Sequence, residues 1–199
     1  MRIDNDYMRI DNATPQHASL IADAILEAVG PEITDNLAGD KNSVKDIHDL
    51  FQRLAERDDT QYSYINTRVA ISDDGKPMGV CICYDGADLN QLRRPFFHEA
   101  NSTLGWNMSD EEIDALPGET EPGEVYLDTI MVLPIFRGKG VAKTLIADAA
   151  LKAERIGKPL GLLCDIDNTH AHKLYESVGL KDVGLKPFAG HTMYHMQML

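Results

Sequence analysis

The strongest constraint on the fold is a junction in which an apolar strand runs through a glycine-containing turn directly into a helix. Val125–Leu133 has the composition of a buried strand, and Gly140–Ile156 carries apolar residues at helical spacing. Leu160–Ile166 is a second short apolar segment. A strand, a helix and a strand in this order predict a parallel strand pair joined by a right-handed crossover.

The segments on either side of this junction predict further helices and strands. The first of the other predicted helices begins at Thr14-Pro15 and ends at Gly30-Pro31. Two more begin at Ser43 and just before Ala171. The other predicted strands are Met8–Ile10, Tyr62–Ser72, Met78–Tyr84, Leu180–Val183 and His191–Met198. Asp74-Gly75 is a hairpin turn between two of them. Hairpins at both ends, added to the parallel pair, indicate an α+β fold with a mixed sheet.

Residues 85–123 form an irregular stretch with a helix expected near Leu89–Ala100 and a short one capped by Ser109. Between Asp110 and Glu124 there are seven acidic residues and no basic one. Such a run is typical of a solvated, partly mobile loop. Alternatively it is a wall or lid that recognises a cationic group, since long loops are often functional.

No linker divides the chain, so a single domain over residues 1–199 is predicted. The sequence MRIDN occurs at Met1–Asn5 and again at Met8–Asn12. Five residues are too few for a structural repeat, and we therefore expect residues 1–6 to be a frayed leader.

The charge balance disfavours two classes of partner. The chain has 19 Lys and Arg against 32 Asp and Glu, a net charge of −13. Nucleic acids and anionic membrane surfaces are bound by clustered Lys and Arg, so neither is an expected partner. No apolar run is long enough to cross a bilayer, and no charged start followed by an apolar run is present, so we expect neither a membrane span nor a signal peptide. Its three cysteines lack a CxxC motif and fit a reduced compartment, which predicts a cytoplasmic protein.

The turn between the strand and the helix predicts an anion site. Backbone N–H groups and the positive end of a helix converge at such a turn, which suits a pyrophosphate. Gly138 and Gly140 let the backbone approach the ligand, and Arg137 and Lys139 add positive charge. Neither the Walker A pattern nor the dinucleotide fingerprint GxGxxG fits, because each needs glycine where this chain has another residue.

A second motif lies downstream, where Asn168–Leu180 reads NTHAHKLYESVGL. Together with Arg137-x-x-Gly140-x-Ala142, this segment resembles the GNAT superfamily of acetyl-CoA-dependent N-acetyltransferases. The family pattern is R/Q-x-x-G-x-G/A, followed about 30 residues later by N-x-x-A-x-x-L-Y-x-x-x-G-F. Leu180 replaces the final Phe. The resemblance covers about Val125 to Leu199, and the order of the earlier elements agrees with it.

The resemblance implies a GNAT-like acyltransferase fold, whose fourth and fifth strands are parallel and splay apart. It implies acetyl-CoA as co-substrate and no metal, with the pantetheine arm lying in the gap like an extra strand. The residues that match the family's cofactor site by position are Ile130, Met131 and Val132 for the arm, Arg137, Gly138, Lys139, Gly140, Val141 and Ala142 for the pyrophosphate, and Asn168 for the pantetheine.

Acetyl transfer to an amine needs a base, a donor for the oxyanion and an acid for the departing thiolate. In the family, the tyrosine of the Leu-Tyr pair is the usual acid, which assigns that role to Tyr175; a phenol with pKa ~10 is protonated at pH 7. Period-two alternation places Tyr126, Asp128, Ile130 and Val132 on one face of the strand. Asp128 is the candidate base, directly or through water, or else a group that only binds the acceptor, with Glu124 in reserve.

The sequence therefore predicts an N-acetyltransferase that works by direct attack in a ternary complex. Two alternatives stay open: a non-catalytic acyl-CoA-binding sensor of the same fold, and a nucleotide-binding α/β module. The expected acceptor is the primary amine of a small molecule or peptide, and the expected assembly is a monomer or homodimer. Cys164 is interpreted as a core residue rather than a nucleophile. His170 and His172 lie about 200° apart on a helix and cannot chelate a metal together.

Overall fold

The computed structural model describes residues 8–198, and its centre is one seven-stranded mixed sheet. The predicted leader at residues 1–6 lies outside the described residues. The strands are β1 (Met8–Asn12), β2 (Thr67–Ser72), β3 (Pro77–Asp85), β4 (Val125–Val132), β5 (Leu160–Asp165), β6 (Lys181–Phe188) and β7 (His191–Met198). The helices are α1 (Ala18–Ala38), α2 (Val44–Ala55), α3 (Leu89–Leu92), α4 (Arg94–Leu104), α5 (Asp110–Ala115), α6 (Val141–Arg155) and α7 (Thr169–Ser177).

The sheet has the strand order β1-β2-β3-β4-β5-β7-β6, and its neighbours are antiparallel except for β4 and β5. That parallel pair is bridged at two positions, where Val125 lies opposite Leu160 and Tyr126 opposite Gly161. Beyond Tyr126 the two strands diverge. The predicted mixed sheet and its parallel pair are therefore confirmed, and the central pair opens like a V.

The two faces of the sheet are covered by different helices. On one face, Leu145 and Ile146 of α6 pack with the side chains of Cys81, Cys83 and Leu127. On the other face, α1 and α2 form a second apolar cluster with Ile82 of β3 and with α4. The apolar residues of the two layers are removed from water on both sides of the sheet, which is the main favourable contribution to folding.

Helix α2 begins where the sequence predicts. Ser43 Oγ accepts a hydrogen bond from the Asp46 N–H at 3.3 Å, and Asp46 Oδ2 accepts one from the Ser43 N–H at 2.8 Å. This reciprocal capping satisfies donors that have no partner inside the helix. In the apolar stripe of α2, Ile47, Leu50, Phe51 and Leu54 are buried, whereas Val44 at its start is exposed.

Four predicted boundaries differ from the structure. Gly30, with φ of 76°, breaks α1, but a helix resumes at Pro31 and continues to Ala38, because proline suits a first helical turn. The helix predicted near Leu89–Ala100 is two helices for the same reason, since Pro95 lies in the first turn of α4.

The other two differences concern strands. The strand predicted from Tyr62 begins only at Thr67, because the Ser63 hydroxyl caps a short 3-10 turn at Tyr64–Asn66. The strand predicted at Leu180–Val183 extends to Phe188 as β6, and Gly184 lies at a register shift inside it instead of ending it.

Candidate active site

The gap between β4 and β5 opens into a cavity of about 770 Å³. Its floor is formed by β4, and one end is closed by the turn that leads into α6. Side chains of α7 and β5 line one wall, including Tyr175 and Cys164. The opposite wall comes from α1, which contributes Ile25, Glu27, Ala28, Val29 and Ile33. The sequence of α1 does not indicate this place in the site, because an apolar stripe looks the same whether it packs on the sheet or borders a cavity.

The glycines of the turn are required by its backbone conformation. Gly138 and Gly140 have φ of 74° and 80°, in the left-handed region that other residues enter only at a cost. Gly140 is also the residue before α6, and no side chain caps that end of the helix. The N–H groups of the first turn of α6 are therefore placed at the edge of the cavity, where an anion such as a pyrophosphate would bind.

Arg137 extends from this turn across the end of β4. Its Nε donates a hydrogen bond to the Val132 carbonyl at 2.9 Å, and its Nη2 lies 2.6 Å from Oε1 of Glu27 on α1. This ion pair joins α1 to the glycine-containing turn. Nothing local in the sequence signals the partnership of Arg137 with Glu27, since 110 residues separate them.

The residues predicted to hold acetyl-CoA come together with one exception. The members that line the cavity are Ile130, Met131, Val132, Arg137, Gly138, Gly140, Val141, Ala142 and Asn168. Lys139 does not line it; its Nζ lies 5.3 Å from the centre of the Phe136 ring, next to a smaller surface cavity. Asn168 is at the cavity wall and also begins α7, because its Oδ1 accepts a hydrogen bond from the Ala171 N–H at 3.1 Å.

A β-bulge in β4 corrects one prediction. Thr129 lies opposite Ile82, and Leu127 opposite Cys83, so Asp128 is an extra residue in the strand. The bulge reverses the alternation: Tyr126 packs with Tyr84 on the α1 face, whereas Ile130 and Val132 pack against the α6 cluster. The predicted common face for Tyr126, Asp128, Ile130 and Val132 is therefore wrong, because one inserted residue flips every side chain after it.

Asp128 is oriented by two hydroxyl groups. Its Oδ2 accepts a hydrogen bond from the Tyr84 hydroxyl at 2.8 Å, and its Oδ1 accepts one from Thr129 Oγ1 at 2.9 Å. Burial raises the pKa of Asp128 above its ordinary value, while these two hydrogen bonds to the anion act in the opposite direction. The carboxylate lines the cavity and is available to a cationic group.

Tyr175 lines the cavity from α7 and is 9% exposed. Burial raises the pKa of Tyr175, with smaller contributions from Cys164 and Cys81, so its phenol is a neutral donor at pH 7. Cys164 is nearby in the same apolar cluster, and burial raises the pKa of its thiol to about 11. An attacking cysteine needs the opposite shift, toward thiolate, so the environment of Cys164 fits a core residue.

The acidic segment contributes one carboxylate to the cavity. Of residues 85–123, all of which the structure describes, Glu119 alone is part of the lining, close to Tyr62 and Asp128. Burial, followed by the charge of Asp128, raises the pKa of Glu119 to about 7. Glu119 is one of the seven acids between Asp110 and Glu124, and no spacing distinguishes it from the other six.

Glu124, the reserve base, is outside the cavity lining. It is fully buried, and its Oε2 accepts hydrogen bonds from Gln197 at 2.7 Å and pairs with His195 Nε2 at 2.8 Å. Its Oε1 accepts a hydrogen bond from the Glu121 N–H at 3.0 Å. These contacts tie the segment before β4 to β7, and they hold the carboxylate of Glu124 away from the cavity.

The histidines are distributed over separate pairs. His172 Nε2 lies 2.9 Å from Asp182, and His191 Nδ1 lies 3.0 Å from Asp165 at the cavity wall. Within residues 8–198, no three His, Cys, Asp or Glu side chains converge as metal ligands. Within the same range, no helix has the length and apolar character needed to cross a membrane.

Comparisons with known proteins identify relatives of this architecture. A model of the acetyltransferase (GNAT) family matches residues 34–180. GCN5-related N-acetyltransferase 4, a chloroplastic protein of Arabidopsis thaliana, is 39% identical over 62 residues, which are 31% of this chain and 21% of that protein. The chain thus matches about a fifth of the length of that curated relative.

Two solved structures resemble nearly the whole chain. The crystal structure of an acetyltransferase is 30% identical, covers 95% of this chain and 97% of its own, and has a TM-score of 0.72. An N-acetyltransferase from Staphylococcus aureus Mu50 is 20% identical over 95% of this chain and 99% of its own, with a TM-score of 0.74. At that identity the second likeness concerns the fold alone.

Proposed function

Because the chain belongs to the GNAT acetyltransferase family, we propose that it moves the acetyl group of acetyl-CoA to a primary amine by direct attack within a ternary complex. The single observation that carries this proposal is the V-shaped opening between β4 and β5, which connects an anion-binding turn at one end with Tyr175 and Asp128 at the other. A thioester supplies an activated acetyl carbon, and the cavity offers space for it between the two strands.

The turn and the open edge of β4 would bind the two parts of the coenzyme. The uncapped first turn of α6 and the Arg137 side chain suit the pyrophosphate, because both present N–H donors and positive charge. The backbone of Ile130, Met131 and Val132, which β5 does not bridge, suits the amides of the pantetheine arm. Asn168 lies where the arm would pass α7.

Tyr175 would serve as the acid of the reaction. As the acceptor nitrogen forms its bond to the thioester carbon, the carbon–sulfur bond breaks and negative charge collects on sulfur. Tyr175 donates a hydrogen bond to that sulfur and passes its proton to the thiolate, and the proton that the nitrogen then loses returns to the Tyr175 phenolate. Its neutral phenol at pH 7 is suited to this role.

Asp128 would bind the acceptor in its ammonium form. An amine with a reference pKa near ~10 arrives protonated at neutral pH and must lose one proton before it can attack. Both oxygens of Asp128 accept hydrogen bonds from hydroxyl groups, which favours the ionised carboxylate and fixes its direction. Of the two roles left open by the sequence, we therefore propose the binding role for Asp128.

The proposal is tested by measuring cofactor binding and transfer separately. Calorimetry should detect binding of acetyl-CoA to the full chain, and release of free coenzyme A thiol should accelerate when primary amines are added. Binding of acetyl-CoA without transfer to any member of a broad amine panel would support the sensor alternative instead. Tighter binding of ATP than of coenzyme A would favour the nucleotide-binding alternative.

A further inference from the structure

Glu119 is a carboxylate in the cavity to which the reaction described above gives no role. It lines the same cavity as Asp128 and Tyr62 and is half-buried. In the described part of the chain, no side chain donates a hydrogen bond to its carboxylate; its hydrogen bonding is to the backbone of its own residue. A half-buried anion without a side-chain partner is costly unless a ligand provides one.

The backbone on both sides of Glu119 is anchored by other residues. Arg93, which is 5% exposed, donates hydrogen bonds to the carbonyls of Leu116 at 2.9 Å and Pro117 at 3.1 Å. Thr120 Oγ1 donates to the Gly86 carbonyl at 2.7 Å. The position of Glu119 is thus set by its neighbours in the chain, and its own carboxylate remains available to a bound group.

We propose that Glu119 takes the proton from the acceptor amine while Asp128 holds the ammonium, and that these two carboxylates restrict the acceptor to amines without a carboxylate on the adjacent carbon. This inference rests on the proposed acetyl transfer. In the step, the N–H bond of the ammonium breaks and its proton moves to Glu119, which later releases it to solvent. The freed lone pair forms the bond to the acetyl carbon, as described above.

The electrostatics of the cavity agree with this assignment. Burial, and then the charge of Asp128, raises the pKa of Glu119 to about 7, so the carboxylate exchanges a proton readily at neutral pH. The titratable and charged groups that face it are Asp128 and Tyr126 from β4, Tyr84 from β3, Tyr62, Arg93 and Lys186. Arg93 and Lys186 lower the pKa of Glu119, but less than burial and Asp128 raise it.

The restriction on the acceptor follows from the separation of charge along the cavity. Lys143 and Arg137, the latter paired with Glu27, line the end proposed for the pyrophosphate, whereas Glu119 and Asp128 line the cavity away from that turn. A simple amine brings one positive charge to the two carboxylates. An α-amino acid also brings its own carboxylate within a few ångströms of them, and like charges in a partly buried site repel strongly.

The first experiment separates proton removal from a structural role. Tyramine is protonated at neutral pH and needs a base, whereas O-benzylhydroxylamine is unprotonated and needs none. Glu119→Gln should lower kcat/KM for tyramine by about 10²-fold and for O-benzylhydroxylamine by less than about fivefold. Glu111→Gln, which removes one exposed charge from the same segment, is the matched control and should leave both values unchanged. Equal losses for the two acceptors, or no loss for either, would overturn the role of Glu119.

The second experiment tests the acceptor restriction by binding, without turnover. Calorimetry should show tyramine and tryptamine binding to the wild type, with tyrosine and tryptophan at least tenfold weaker. Glu119→Gln should reduce the difference in affinity between each amine and the matching amino acid. Equal binding of amine and amino acid to the wild type would contradict the restriction.

A third measurement keeps the two proposals apart. If the wild type binds acetyl-CoA yet acetylates no amine, the proposed function fails. The pKa of the Glu119 carboxyl is then measured by ¹³C NMR titration, which does not depend on turnover. A midpoint near 7 that falls in Asp128→Asn supports the paired carboxylates; a midpoint at the ordinary value for glutamate refutes them.

Discussion

The hydroxyl of Tyr84 on β3 donates a 2.8 Å hydrogen bond to Oδ2 of Asp128 on β4. Tyr84 lies opposite Tyr126 in the register, and Asp128 is two residues further along β4, where its carboxylate reaches the Tyr84 hydroxyl. Burial, and then the charge of Asp128, raises the pKa of Tyr84, so the phenol remains a donor over the working pH range. The direction of the Asp128 carboxylate is therefore set before an acceptor binds.

Removing this hydrogen bond should move the pH dependence of acceptor binding. Tyr84 lowers the pKa of Asp128, so Tyr84→Phe should raise it further. Since Asp128 binds an ammonium only when ionised, acceptor KM should begin to rise at a higher pH as the solution is acidified. Profiles of KM against pH for wild type and Tyr84→Phe check this. Overlapping profiles would show that Asp128 does not bind the acceptor.

Loss of the Tyr175 hydroxyl should slow the reaction without affecting the coenzyme. Tyr175→Phe keeps the ring in the apolar cluster and removes the proposed acid, so turnover should fall by about 10²–10⁴-fold. The Kd of acetyl-CoA, measured by calorimetry, should stay within about twofold. Tyr194→Phe, on β7 and outside the cavity lining, is the control and should retain activity. Unchanged turnover in Tyr175→Phe would remove this residue from the mechanism.

The ion pair of Glu27 with Arg137 should oppose binding of the coenzyme. Both side chains are about half exposed, at 52% and 53%, and such pairs contribute at most about 1 kcal/mol. Glu27→Gln should therefore tighten acetyl-CoA binding by up to about fivefold. Arg137→Gln should weaken it by about tenfold or more, because a charge-assisted hydrogen bond to phosphate is lost. Calorimetry at two salt concentrations measures both changes. Weaker binding in Glu27→Gln would contradict this account of the turn.

The buried Glu124 should couple energetically to Gly161. A Cβ at Gly161 would overlap the Glu124 carboxylate, so Gly161→Ala forces that side chain to move. Glu124→Ala leaves His195 and Gln197 without their partner and should cost about 3 kcal/mol of unfolding free energy. In the Glu124→Ala background, Gly161→Ala should therefore lower the free energy of unfolding by less than it does in the wild type. Urea denaturation of the wild type, the two single variants and the double variant measures these free energies. If the two single losses add up to the loss in the double variant, Glu124 and Gly161 are not coupled.

Arg93 should control acceptor binding through the segment that carries Glu119. Arg93→Met leaves the carbonyls of Ile113, Leu116 and Pro117 without a donor, so the segment loosens and acceptor KM should rise roughly tenfold. Binding of acetyl-CoA should not change. Arg94→Met is the matched control, since Arg94 makes exposed ion pairs with Asp110 and Asp114. Equal effects of the two substitutions would contradict a specific role for Arg93.

The sequence predicts the structure correctly where a few consecutive residues decide it. Ser43 with Asp46 and Ser109 with Glu112 cap helices α2 and α5, and each pair lies within one turn. Gly138 and Gly140 adopt positive φ because the turn into α6 requires it. The parallel pair followed from the length of the helix between β4 and β5. For these features, the physical cause acts over a few residues and can be read from the order of the residues.

The bulge at Asp128 could not be predicted in the same way, because the eight residues of β4 are equally compatible with regular alternation of side chains. The decision depends on the register with β3, where Ile82 pairs with Thr129 and Cys83 with Leu127. Contacts across strands are set by packing of the whole sheet, and a shift of one residue reverses every later side chain.

What the sequence by itself determined is the order of strands and helices and the glycine-containing turn into α6, because propensity, capping and glycine conformation are local properties of the chain. Only the tertiary structure decided which acids serve the cavity. Glu119 reaches it, whereas Glu124 is buried and held by His195 and Gln197 of β7, although only four residues lie between the two acids in the chain. The environment of each carboxylate comes from residues distant in the chain, such as Asp128, Arg93 and His195, and burial together with charge fixes what each can do.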